Sequence, residues 1–170
     1  HIEATFAGHR GSICCVPVTP YGFLLSVPRA GLSSVFGMLR EIGVRPCGHQ
    51  AYEAVRIESG FPDSGRDVTD ANLPQEVGRN TTAISFTKGC YLGQETIARL
   101  DAMGHVNRLL RGLIFEGDTI PPVGTELFAG EKSVGRITST AWSPGKTAAV
   151  ALGYVRREHA VGDELASSAG

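Results

Sequence analysis

The sequence predicts an α+β fold, in which part of a ferredoxin-like α/β sandwich is followed by a small antiparallel β-barrel. Two β-like runs near the start flank a turn, and two helix-like stretches follow them. Short β-like segments separated by Gly and Pro fill the last third of the chain. Strand pairs covered by helices on one face form an α+β sandwich, and short strands separated by turns are typical of a small barrel or sandwich.

A β-hairpin is predicted from "ICCVPV" (Ile13–Val18) and "YGFLLSVP" (Tyr21–Pro28), because "TPYG" between them supplies turn residues. Cys14 and Cys15 are neighbours on the first strand, so their side chains should point to opposite faces and not form a disulfide. We expect both, like Cys47, to be packing residues.

Two amphipathic helices should follow the hairpin. In "GLSSVFGMLREIG" the apolar residues recur at i, i+3, i+4 and i+7 from Leu32 onward, and Gly43 supplies a natural stop. In "GHQAYEAVRIESG" the apolar side would carry Ala51, Ala54 and Val55, and Gly60 would close the helix.

Residues 61–87 are polar and turn-rich, which predicts a long irregular connection with a short strand at Ala83–Phe86. Connections of this length are uncommon and are often functional. A short helix should run from about Gln94 to Met103. We therefore predict a first domain over residues 1–104, which includes a signature loop over residues 61–95, and a barrel domain over residues 105–170.

Composition excludes several classes of function. The 170 residues carry a formal net charge of −1, without the basic excess expected of a nucleic-acid-binding protein. No apolar run approaches the roughly 20 residues of a membrane helix. The four cysteines form no C-x-x-C pair and no zinc pattern. We therefore expect a reduced, cytoplasmic, monomeric protein with no tightly bound metal.

Cys90, in "TKGCYLGQET", is the main candidate for chemistry. It lies just before a predicted helix and two residues after Lys88, and both features favour the reactive thiolate. Tyr91 could stack and donate a hydrogen bond, and Gln94 and Glu95 could polarise a ligand or cap the helix. Free cysteines are nevertheless among the most buried residues, so residue chemistry alone favours an inert, buried thiol.

Other polar residues are weaker candidates. Glu58 follows an apparently buried helical stretch, so it is a possible ligand-binding acid, and Arg56 would point another way on the helix. The acids of "DSGRD" (Asp63–Asp67) are expected to be solvated turn residues. No Ser-His-Asp order, P-loop or dinucleotide-binding glycine pattern occurs in the chain.

"KGCYLGQE" (Lys88–Glu95) resembles the K-G-C-Y-x-G-Q-E signature of the YgfZ family of folate-binding proteins, within the superfamily of the glycine-cleavage T-protein (aminomethyltransferase). "RIESGFP" and "LPQE" are similar to the superfamily's linker before that signature. "VGRITSTAWSP" and "VALGYVRR" resemble its C-terminal β-barrel. "VTPYGFLLSVP" lacks the Thr-Gly-Glu of the T-protein hairpin, which favours the YgfZ type.

The resemblance implies a tetrahydrofolate-binding accessory protein that supports iron–sulfur cluster synthesis or repair, and thereby tRNA modification. Its partners would be folate and iron–sulfur assembly or cluster-dependent proteins. Cys90 would be the working thiol, and the residues around folate would be Lys88, Tyr91, Gln94, Glu95, Glu58 and Arg99.

Two alternatives stay open: a tetrahydrofolate-dependent aminomethyltransferase like the T-protein, or a non-catalytic docking module. The resemblance covers roughly the second half of the superfamily's three-domain ring. The first half, with the T-protein's catalytic aspartate, has no counterpart here, so a complete folate pocket is not expected from this chain alone.

Overall fold

The computed structural model of the chain describes residues 1–16, 18–19, 21–159 and 161–168, and at residue 103 it describes the backbone without the side chain. The chain divides into two compact units, His1–Phe61 and Pro62–Gly170. The boundary that the sequence predicts between residues 104 and 105 stays a prediction.

The first unit contains a three-stranded antiparallel sheet of β1 (Ile2–Phe6), β2 (His9–Cys15) and β3 (Phe23–Ser26), in that order. The β2–β3 pair corresponds to the predicted hairpin, although Pro17 and Pro20 of that region lie outside the described residues. β1 is a strand that the prediction lacked. It joins β2 through Ala7 and Gly8, which both have positive φ, as tight hairpin turns require.

Two helices follow, α1 (Leu32–Glu41) and α2 (His49–Glu58). Both predicted stops are present, because Gly43 and Gly60 take φ angles of +89° and +66°. After α1, the N–H of Gly43 donates to the carbonyl of Arg40 (3.0 Å), and that of Val44 donates to the carbonyl of Leu39 (2.9 Å). This pair of bonds is the Schellman motif, and it satisfies carbonyls that the helix end would leave without partners.

The predicted apolar face of α2 is wrong. Ala54 is buried as expected, but Ala51 and Val55 are exposed, and the other buried side chains are those of Glu53, Arg56 and Ile57. The guanidinium of Arg56 donates to both oxygens of Glu53, at 3.1 and 2.9 Å. A charged pair can be buried when its two members satisfy each other's hydrogen bonds. A prediction that counts only apolar residues therefore misses a buried helix face that contains such a pair.

The second unit begins with an organised connection rather than an irregular loop. It contains a 3₁₀ turn (Pro74–Val77), α3 (Asn80–Ala83) and α4 (Gln94–Met103). The helix predicted over 94–103 is confirmed. The strand predicted at Ala83–Phe86 is wrong, because the N–H of Ala83 bonds back to the carbonyl of Arg79 at 2.8 Å and closes a helical turn instead.

A five-stranded antiparallel sheet completes this unit, with the order β4-β7-β6-β5-β8. Its strands are β4 (Arg108–Phe115), β5 (Glu126–Ala129), β6 (Lys132–Ser143), β7 (Ala148–Arg156) and β8 (Ala166–Ser167). The core of the unit consists of buried aliphatic side chains from β5, β6 and β7, namely Leu127, Val134, Ile137, Ala151 and Val155.

The mixed fold with antiparallel sheets is confirmed, whereas the predicted barrel is not closed. Among the described residues the edge strands β4 and β8 do not pair with each other, so the sheet stays open between them. The ferredoxin-like detail of the first unit remains a prediction.

Replacing Gly43 with Ala should lower the free energy of unfolding by about 1–2 kcal/mol, because an L-residue is strained at positive φ. Gly37, in the middle of α1, is the matched control, since an added Cβ meets no atom within 4 Å at either position. Gly37→Ala should raise stability by about 0.5–1 kcal/mol. Urea unfolding of both variants measures the difference, and an equal effect at the two sites would contradict the left-handed stop.

Candidate functional site

The segment from Lys88 to Glu95 turns into the amino end of α4 through Gly93. Gly93 takes φ +85° and occupies the N-cap position, where no side chain caps the helix. The N–H of Gln94 bonds back to the carbonyl of Tyr91 at 3.2 Å, and the N–H of Ile97 donates to the carbonyl of Gly93 at 3.1 Å. An uncapped helix start offers N–H groups and a partial positive charge to an anion.

Lys88 and Tyr91 form a contact within this segment. The Lys88 ammonium lies 4.4 Å from the centroid of the Tyr91 ring, a cation–π arrangement. The Tyr91 hydroxyl is buried and has no hydrogen-bond partner among the described residues. The contact places a positive charge close to a phenol whose hydroxyl can still donate and accept a hydrogen bond.

Cys90 is exposed, so the expectation from residue chemistry alone that it is buried is wrong. Its reactivity stays a prediction. The expectation of burial is likewise wrong for two of the three cysteines expected to be packing residues, because Cys15 and Cys47 are exposed and Cys14 is half-buried. All four are free thiols. Next to Cys90, the side chain of Leu92 is fully exposed. Cys90 is therefore accessible to a partner molecule.

The other predicted site residues are placed as follows. Gln94 is the first residue of α4 and is half-buried, Glu95 lies exposed in its first turn, and Arg99 is exposed one turn later. An acid in the first turn is favourable to the helix dipole, so Glu95 also has a plain structural role. Glu58 is exposed at the end of α2, and the buried acid of that helix is Glu53. Glu58 lies in the other compact unit.

Sequence reasoning missed Asp67. Asp67 is fully buried, whereas the acids of "DSGRD" were expected to be solvated turn residues. Its carboxylate accepts hydrogen bonds from the hydroxyls of Thr138 and Ser139 on β6 and from the N–H of Asp63. The Tyr154 hydroxyl on β7 donates to its backbone carbonyl at 2.9 Å. Asp67 therefore fastens the connection to the middle of the sheet.

A second attachment joins the connection to the start of β4. Arg108 donates to both carboxylate oxygens of Glu76, at 2.9 and 3.2 Å, and to the carbonyl of Ala71 at 3.2 Å. Its guanidinium also lies 5.0 Å from the centroid of the Tyr154 ring. Burial raises the pKa of Tyr154, and the negative charge of Glu76 adds to that rise. Tyr154 is therefore a neutral hydrogen-bond donor here.

These attachments hold the signature segment in place. Glu76 and Arg108 are 32 residues apart, and the chain between them contains α3, the segment around Cys90 and α4. The side chain of Gln75, the residue just before that loop, donates to the carbonyl of Ile97 on α4 at 3.1 Å. The loop that presents Cys90 is therefore closed at its base and tied at its helix.

The described residues contain neither a metal-binding cluster nor a helix that could span a membrane. Within the described residues, no three His, Cys, Asp or Glu side chains come together in a way that could bind a metal ion. No helix in the same part of the chain is long and apolar enough to cross a bilayer.

Residues 108–168, which contain β4 to β8, match the family model described as the glycine cleavage T-protein C-terminal barrel domain. The chain is 30% identical to an aminomethyltransferase of Streptomyces avermitilis, over 91% of this chain and 45% of that protein. It is 34% identical to an aminomethyltransferase of a Nostoc species, over 91% of this chain and 41% of that protein. These findings support a place in the glycine-cleavage T-protein superfamily.

A solved structure of this superfamily agrees. The glycine cleavage system aminomethyltransferase T from Bartonella henselae matches 86% of this chain and 42% of its own, with a TM-score of 0.73 and 25% identity. The chain thus spans less than half the length of these T-protein relatives. Another relative, 32% identical, is a chloroplastic protein of Arabidopsis thaliana, so the cytoplasmic location stays a prediction.

Replacing Asp67 with Asn should lower the free energy of unfolding of this T-protein relative by about 1–3 kcal/mol, because buried hydroxyls lose a charged acceptor. Asp63→Asn is the control. The Asp63 side chain is 48% exposed and pairs with Arg66, and such a surface pair is worth at most about 1 kcal/mol. Urea unfolding compares the two variants, and equal losses would contradict the role given to Asp67.

Proposed function

We propose that this chain is part of a tetrahydrofolate-binding protein of the YgfZ type, which supports iron–sulfur cluster synthesis or repair and thereby tRNA modification. The observation that supports this proposal most strongly is the segment Lys88–Glu95. It matches every fixed letter of the YgfZ signature, and its cysteine is exposed at an uncapped helix start. The relationship to the T-protein superfamily supports folate as the ligand.

The residues present fit the acidic tail of a folate. A carboxylate would accept hydrogen bonds from the buried Tyr91 hydroxyl, which lacks a partner among the described residues, and from the N–H groups at the start of α4. Lys88 would supply the opposite charge. When bound, tetrahydrofolate supplies nitrogen atoms that accept a one-carbon unit. Arg99 is a further proposed folate contact, and Gln94 and Glu95 would shape the site. Glu58, which lies in the other compact unit, stays a prediction of the sequence.

Cys90 would bind an iron- or sulfur-bearing species as its thiolate. An iron–sulfur cluster commonly needs four cysteine ligands, and one cysteine supplies only one of them. The cluster or its precursor would therefore be shared with a partner protein. The fully exposed Leu92 next to Cys90 would then be covered by that partner, because an exposed apolar side chain gains by leaving water.

Cys90→Ala in the full-length protein should reduce the activity of cluster-dependent tRNA-modifying enzymes in cells by tenfold or more. Cys47→Ala is the control, since it removes another exposed thiol. Calorimetry should show that both variants still bind tetrahydrofolate. Full activity in the Cys90→Ala cells would refute the role of the thiol, and no binding of tetrahydrofolate by the unaltered protein would refute the folate site.

The second candidate function is a tetrahydrofolate-dependent aminomethyl transfer, which the names of the relatives favour. The full-length protein would then form methylenetetrahydrofolate from an aminomethyl donor. In that case Cys90→Ala should leave the turnover unchanged, because the T-proteins lack the cysteine signature. Turnover without any effect of Cys90→Ala in cells would favour this candidate over the first.

A further inference from the structure

A cavity of about 190 Å³ lies at the carboxyl end of α4, within the second unit. Its walls come from the 3₁₀ turn, the first residue of α3, the stretch from the end of α4 to the start of β4, and the residue after β7. The apolar part of the lining consists of Leu100, Val106 and Leu109, and the charged part includes Asp101 and Arg157. None of the proposed folate contacts lines this cavity, so it is separate from the proposed folate site.

Gln75 gives the first sign of a ligand. It lines the cavity and is only 7% exposed. Its amide nitrogen donates to the carbonyl of Ile97, which fixes the orientation of the amide group, but its buried oxygen Oε1 has no partner among the described residues. A buried acceptor without a partner costs about 1–3 kcal/mol, so a donor from a bound molecule would be stabilised here.

The charged lining gives the second sign. Asp101 and Arg157 carry opposite charges at the rim of one cavity, where both residues are exposed and neither forms an ion pair in the described part of the chain. Asp101 lies in the last turn of α4, where the carbonyl groups add a partial negative charge. Asp101 thus favours a cation, and Arg157 favours an anion.

We propose that this cavity binds a small zwitterion, namely a free α-amino acid with a short apolar side chain. Its ammonium group is held by Asp101, by the carbonyls at the end of α4 and by the unpaired oxygen of Gln75. Its carboxylate pairs with Arg157, and its side chain lies against the apolar lining.

The test uses L-alanine as the probe and the whole chain, with nuclear magnetic resonance of the Gln75 side-chain amide and the Gly104 backbone amide as the readout. Both signals should shift saturably with L-alanine. N-acetyl-L-alanine lacks the ammonium and L-alaninamide lacks the carboxylate. Each should bind at least tenfold more weakly, because one charged hydrogen bond accounts for a factor of that size.

Variants locate the two charges. Asp101→Asn and Arg157→Gln should each weaken L-alanine binding at least tenfold, whereas Arg156→Gln should not, since Arg156 is adjacent but does not line the cavity. The proposal is overturned if L-alanine causes no saturable shift at millimolar concentrations, which would mean that only water meets the Gln75 oxygen. Equal binding of L-alanine and its two capped analogues would overturn it as well.

Discussion

The buried carboxylate of Asp67 is the interaction on which the second unit depends. Taking a carboxylate out of water is costly unless hydrogen bonds replace those that it loses. Two hydroxyls of β6 and a backbone N–H meet this need, while Tyr154 bonds the carbonyl of the same residue. Because the hydroxyl partners lie on the neighbouring strands β6 and β7, these bonds fix Asp67 relative to the sheet as well as to its own turn.

The position of the signature segment depends on the Asp67 attachment to the sheet and on a second attachment, between Arg108 and Glu76. Arg108 and Glu76 form a pair with two hydrogen bonds, which has a more defined geometry than a single contact between charges. The pair closes the loop that carries α3, Cys90 and α4, and the Gln75 side chain then ties α4 to the same base. An exposed thiol can thus be presented from a loop whose ends are held at the sheet.

The sequence predicted correctly those elements that depend only on residues close together in the chain. The two helix stops depend only on glycine at positive φ, and α4 was predicted from its own segment, so both could be found from sequence. The buried face of α2 could not, because its Glu53–Arg56 pair reads as surface charge. Asp67 was missed for a similar reason, since its partners are about 70 residues away. The one available signal was "TST" inside strand β6, where a buried hydroxyl needs a partner.

The candidate site contains a segment that its resemblance to a known signature could identify. The contacts that hold this segment in place could not be found from the sequence. The resemblance of Lys88–Glu95 indicated Cys90, but only the structure shows that the thiol is exposed and that Lys88 lies against Tyr91. The cavity at the opposite end of α4 depends on residues from four separate segments. No pattern in the sequence brings them together.

Hydrogen exchange of backbone amides tests the central claim most directly, namely that the connection is fastened to the sheet and holds α4. The N–H of Asp63, bonded to the Asp67 carboxylate, should exchange as slowly as the amides of β6 and β7. In an Arg108→Met variant, the amides of α4 should exchange faster while those of β7 stay unchanged. Rapid exchange at Asp63, or no effect of the variant on α4, would contradict the account.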